Sequence, residues 1–147
     1  MKVPPLPDVT KLTSLYLRSV PEVAALVGNR VYSVFPSQLA PGLAFCIVQR
    51  IGGPPAISRP LVVDLAVMQL DCYGGPQDAA HELAATALAA LSEWEGEQPD
   101  ATGNVCGTRI GVKRWQPDPT YKPPRPRYVC DFEVTVKPAG VVLAGTP

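Results

Sequence analysis

"QLDCYGGPQDAAHELA", Gln69 to Ala84, sets a cysteine close to the only histidine of the chain, with two glycines and a proline between them. Up to Tyr73 the residues alternate. Met68, Leu70 and Cys72 point one way and Gln69 and Asp71 the other, the pattern of a strand with one buried face. From Ala80 the period changes: Leu83, Ala84, Ala87, Leu88, Leu91 and Trp94 share one face at about 100° per residue. Glu82, Ala85, Thr86, Ala89 and Glu93 lie opposite. The stretch is therefore the joint between a strand and an amphipathic helix. Gly74 and Gly75 let the backbone turn, Pro76 suits an early helical position, and Asp78 with Glu82 favours the positive end of the helix.

A reactive Cys72–His81 dyad is the competing reading. It needs the thiolate within hydrogen-bond reach of the imidazole, beside an oxyanion hole. The strand period instead turns Cys72 toward the core with Met68 and Leu70, and the helix period leaves His81 at the rim of the apolar stripe. Cys72 is then a small core hydrophobe.

Outward from this joint, Asp8 is positioned to cap a helix "VTKLTSLYLRS", with Leu12, Leu15 and Tyr16 at helical spacing. Pro21 suits the first turn of a second helix, "PEVAALV", closed by Gly28. "RVYSVF" is a short candidate strand. "AFCIVQRI" is a better one, entered through "APG" and left through "GGPP". Toward the C-terminus, "VCGTRIGVKRW" reads as a strand softened by two glycines at a bulge. The clearest alternation follows: Tyr128, Cys130, Phe132, Val134 and Val136 against Arg127, Asp131, Glu133, Thr135 and Lys137. Between these two strands "QPDPTYKPPRP", residues 116–126, is too long and proline-rich for a tight hairpin and reads as an extended polyproline arm. The fold class expected is α+β: a mostly antiparallel sheet packed by one long amphipathic helix, with two short N-terminal helices. One domain spans 1–147, with the arm at 116–126 and an extended tail at 138–147.

Composition narrows the function. With 13 basic and 13 acidic residues the net charge is zero, so no overall field gathers nucleic acid or anionic membrane. The 18 prolines predict long ordered loops, because apolar segments persist between them. Prolines in "MKVPPLPDVT" interrupt the apolar run that a secretory signal requires, and no stretch approaches the ~20 apolar residues of a membrane helix. A soluble protein made in a cytoplasm is expected. Cys46, Cys72, Cys106 and Cys130 form no CxxC pair, so reduced thiols are expected and no metal site is read. "IGGPP" lacks the lysine and Ser/Thr of a phosphate loop, and no cofactor is implied. The acidic turn around Glu93, Glu95, Glu97 and Asp100 reads as a solvated surface. Lys113, Arg114, Lys122, Arg125 and Arg127 surround the arm with Trp115, Tyr121 and Tyr128, a composition that suits a protein interface better than nucleic acid in a neutral chain. Within it, Trp115, Tyr121, Lys122, Pro123, Pro124 and Arg125 are the candidate interface residues. "KPPRP" also has the composition of a ligand for an aromatic-lined groove.

"PEVAALVGNRVY", "FCIVQRIGG", "VMQLDCYG" before an alanine-rich helix, and "RYVCDFEVTV", in this order and spacing, make the chain resemble the tail terminator, or tail completion, proteins of long-tailed bacteriophages. The resemblance implies a small α+β structural protein without a catalytic centre. It implies a ring, commonly a hexamer, that caps the tail tube, meets the head-completion or stopper protein, and lets genomic DNA pass through its lumen. The location implied is the tail–neck junction of the virion, with no membrane. The arm, Gln116 to Pro126, and the tail after Lys137 depart from the family pattern. Another neck component, a stopper or adaptor, is the nearest alternative, and a small cysteine-dependent enzyme a remote one.

Overall fold

The computed structural model describes residues 5–36, 42–53, 55–58, 61–98 and 103–138. Two helices lead the chain: α1, Val9–Ser19, and α2, Pro21–Val27. Asp8 caps α1 by accepting from the Lys11 amide at 3.2 Å, and Gly28 closes α2 at φ 58°, a left-handed turn that suits glycine. On α1 the core is reached by Val9, Leu12 and Leu17, whereas Leu15 is exposed, so the helix is rotated from the face its apolar spacing suggests.

The strands are β1, Val31–Tyr32; β2, Phe45–Gly52; β3, Pro55–Ser58; β4, Leu61–Tyr73; β5, Gly96–Glu97; β6, Gly103–Trp115; and β7, Arg127–Pro138. The third helix, α3, Gln77–Ser92, joins β4 to β5. They form one seven-stranded sheet in the order β1-β2-β4-β7-β6-β5, with β3 also on β4. Among the described residues all pairings are antiparallel except β1 with β2, so the sheet is mixed and mostly antiparallel. Among the described residues the helical layer consists of three helices, so the long helix does not pack the sheet alone.

β2 and β3 both run against β4 and together form one side of a long hairpin, with a register shift between Arg50 and Gly52. "GGPP" thus interrupts the strand without ending it. β3 is absent from the expected order because its prolines read as a loop. The bulges expected in β6 occur between Val105 and Gly107 and between Ile110 and Lys113. They kink a strand that, beyond its short pairing with β5, is a sheet edge among the described residues, a common means of blunting an edge.

One face of the sheet carries the main core. Cys46 and Val48, Ala66 to Cys72 by alternate residues, and Cys130, Phe132, Val134 and Val136 meet Leu83, Ala84, Ala87 and Leu91 of α3 and Leu12, Leu17, Val23 and Val27 of α1 and α2. Each buried Leu, Met or Phe here contributes roughly 1.5–3 kcal/mol. The joint between β4 and α3 lies where expected, although Pro76 stands just outside the helix as its N-cap. Gly74 is required there by space: a Cβ on it would lie 2.4 Å from the Ala80 amide nitrogen and 2.9 Å from the Ala79 carbonyl carbon. The backbone of α3 packs directly against the turn.

Candidate functional site

The second face of the sheet was expected to meet solvent. At one end it does not. Phe45, Ile47 and Tyr73 are buried there in a separate cluster with Tyr32 and Tyr121. Phe45 and Tyr73 stack with centroids 4.4 Å apart and planes 6° from parallel, and Phe35 meets both edge-on.

The cover is residues 116–126. Instead of an extended arm, the segment folds back on the sheet. Asp118 and Arg125 exchange backbone hydrogen bonds of 2.8 and 3.1 Å, and the Gly74 amide donates to the Pro126 carbonyl at 3.2 Å. The Lys122–Pro123 bond is cis. The Asp118 carboxylate accepts from the Thr120 amide and hydroxyl at 3.0 and 2.7 Å, closing the segment locally, and from the Tyr73 hydroxyl at 2.7 Å, tying it to β4. The Arg125 guanidinium lies between Phe45, 5.0 Å from its ring centre, and Tyr121, at 5.3 Å, and donates to the Leu43 carbonyl. Prolines here order a cap that hydrogen bonds and an arginine hold in place.

Arg127 sits beneath it. Its Nη1 lies 3.3 Å from the Tyr73 hydroxyl, 3.8 Å from Asp71 and 3.9 Å from Asp118. The two carboxyls respond in opposite directions. Burial raises the pKa of Asp71, more than the Gln69 hydrogen bond and the Arg127 charge lower it. Burial also pushes Asp118 up, but the Thr120 and Tyr73 hydrogen bonds and Arg127 outweigh it, and the group ends below its ordinary value. Burial, with the hydrogen bond to Asp118, drives the Tyr73 hydroxyl far up, so it stays a donor.

Linkage converts these directions into opposite effects on stability. A depressed Asp118 contributes stability above its unfolded pKa and loses it as pH falls through the folded one. A raised Asp71 costs stability once pH exceeds its folded pKa. Asp118→Asn is therefore expected to destabilise the protein at neutral pH by about 1–2 kcal/mol. Asp71→Asn should be neutral or stabilising by up to about 1 kcal/mol. Urea unfolding at pH 7 and at acidic pH checks both; the two variants losing stability equally would contradict the assignment.

The candidate interface residues are now divided. Arg125, 8% exposed, and Tyr121, half-buried, serve the cap itself. Lys122, Pro123 and Pro124 project from it into solvent, and Trp115, 43% exposed, lies on β6 against Tyr128, with ring centres 5.2 Å apart. Trp115 belongs to the helix-side corner, with Lys113 and His81. The structure therefore separates it from the cap.

No hydrogen bond joins Cys72 to His81 among the described residues. Cys72 is fully buried, its sulfur 4.0 Å from that of Cys46, and its pKa is raised well above the ordinary thiol value by hydrogen bonding to Cys130 and Cys46 and by burial. His81 is exposed on α3, 3.1 Å from Lys113 Nζ, with its ring edge-on to Tyr128. Gln77, Asp78, His81 and Tyr128 line an open depression of about 470 Å³. Among the described residues no cluster of His, Cys, Asp or Glu has the geometry of a metal site, and no helix is long and apolar enough to cross a membrane. A thiol reagent should label native Cys106, which is partly exposed, while Cys46, Cys72 and Cys130 react only on unfolding. Rapid native labelling of Cys72 would restore the dyad.

The sequence missed Phe35, Phe45, Tyr73, Asp118 and Arg127 as members of one site. Only Asp118 carried a local signal, the Asp-x-Thr pattern of a side-chain turn. The assembled feature is a mixed α+β sheet, helical on one side and capped by a folded loop on the other. The chain shares this fold with a chain of the solved structure described as "Virion of native gene transfer agent (GTA) particle", at a TM-score of 0.65 and 19% identity, over 87% of this chain and 93% of that one. No protein-family model and no curated protein sequence matches it.

Proposed function

We propose that the protein is a structural virion component: a tail terminator that closes into a ring on the end of the tail tube and joins it to the head-completion proteins. The observation that carries the reading is the shared fold with a chain of a phage-like particle, over nearly the full length of both chains. The order of the sequence motifs supports the finer assignment. The physical character of the chain agrees with it: its neutral charge gives DNA in a lumen no strong wall to bind. The ring, a hexamer in this reading, uses two different patches on each subunit, a head-to-tail contact that closes by rotation.

Native mass spectrometry of the purified protein tests closure. One discrete oligomer, with neither monomer nor a ladder of sizes dominating, is the expected result. A monomer at all accessible concentrations in the presence and absence of tail tubes overturns the ring. A closed ring that binds portal-bearing heads and ignores tubes would transfer the protein to a stopper or adaptor role.

A further inference from the structure

A head-to-tail ring requires a projection and a receptor on different sides of the subunit. On the helical layer, a groove runs between α1, α2 and α3, lined by Tyr16, Val20, Glu22, Ala85, Ala89 and Glu93. Its floor is firmly built: Tyr16 stacks on Trp94 at 4.9 Å and donates to the Ala90 carbonyl at 2.6 Å. Its rims are anionic. Glu22 and Glu93 are exposed, and neither has a cation within 4.0 Å among the described residues.

The cap offers the opposite character. Lys122, Pro123 and Pro124 are exposed, and no carboxylate lies within 4.0 Å of Lys122 among the described residues. On either side, Arg125 is fixed against Phe45 and Tyr121 against Arg125 and Phe35, so the projection is ordered before it docks and loses little entropy on binding. Proline rings suit a shallow floor of alanine, valine and a tyrosine face, and an adjacent lysine suits acidic rims.

The two features lie on opposite sides of the sheet. Ala85 and Ala89 are on the side of α3 away from the strands, whereas the cap packs on the strand face that the helices leave free. A subunit therefore has no means of filling its own groove. We propose that the groove bounded by Glu22 and Glu93 receives the Lys122–Pro124 projection of a second copy of this chain, and that this contact, repeated, closes the ring.

This inference rests on the ring reading, and the experiment separates the two. Two variants are compared with the unaltered protein by native mass spectrometry: Glu22→Lys with Glu93→Lys, which spoils the groove, and Lys122→Glu with Pro124→Ser, which spoils the projection. All four side chains are exposed, so unfolding midpoints should match the parent. Each variant alone should assemble about 100-fold more weakly than the parent, since like charges then face each other. Mixed together, the variants set opposite charges against each other at both junctions: the intact Lys122 of the first meets the intact Glu22 and Glu93 of the second, and the reversed projection of the second meets the reversed rims of the first. Alternating oligomers that contain both variants in a 1:1 ratio are the expected product. Variants that still close like the parent, or a mixture that stays monomeric, overturn the docking mode while leaving the ring in place. A parent that never closes overturns both.

Discussion

Replacing Gly74 with valine is expected to lower stability by about 3 kcal/mol, the upper part of the range for side chains forced into filled space, and to lower the unfolding temperature by about 6–12 °C for a chain of this size. Even the Cβ of the new residue would lie 2.4 Å from the Ala80 amide nitrogen and 2.9 Å from the Ala79 and Ala80 backbone carbons. These are backbone atoms in the first turn of α3 and have no rotamer by which to yield. The helix must move away from the end of β4, and it carries Leu83, Ala84, Ala87 and Leu91 out of register with the sheet. Gly107 supplies the control. A Cβ there meets nothing within 4 Å, so Gly107→Ala should change stability by no more than about 0.5 kcal/mol. Thermal unfolding followed by circular dichroism measures both. Equal effects would show that the β4–α3 joint is not closely packed.

Arg127→Met should cost about 3 kcal/mol at neutral pH, because removing one member of a buried charge network leaves its partners uncompensated. The Arg127 side chain is 15% exposed and is the cation shared by Asp71 and Asp118, with the Tyr73 hydroxyl 3.3 Å from Nη1. Methionine keeps much of the volume and none of the charge. Both carboxyls should then hold their protons to higher pH in the folded protein. Their cost is present above the folded pKa and disappears below it, so the deficit should shrink as pH falls toward about 4. Hydrogen exchange at the Asp118 and Arg125 amides should accelerate in parallel, since the cap is anchored through the same network. A deficit independent of pH, with the cap amides still protected, would mean that packing rather than charge holds the segment down.

The helices were legible because their signals are local. Asp8, Pro21, Gly28 and the change of period after Tyr73 each act within a few residues, and α1 and α2 end where those residues place them. β4 and β7 were legible through alternation, since the main core lies on one face of each. Alternation also misled, because it assigned Asp71 and Arg127 to solvent. Their burial depends on residues 116–126 returning across the sheet, a contact between Tyr73 and Asp118 for which neither segment carries a local pattern. High proline content was read as extension, whereas the prolines flank turns closed by Asp118, Thr120 and Arg125. The residues of the candidate interface therefore occupy mixed positions: Tyr121 and Arg125 face inward, while Lys122, Pro123 and Pro124 face solvent. The tail beyond Pro138 and Asp100 lie outside the described residues.

Electron microscopy of the purified protein mixed with tail tubes tests the central claim most directly. The expected images show closed rings seated at tube ends, with tubes that no longer elongate once capped. Tubes that keep growing with bare ends, beside protein that forms no rings, would contradict the assignment as a tail terminator.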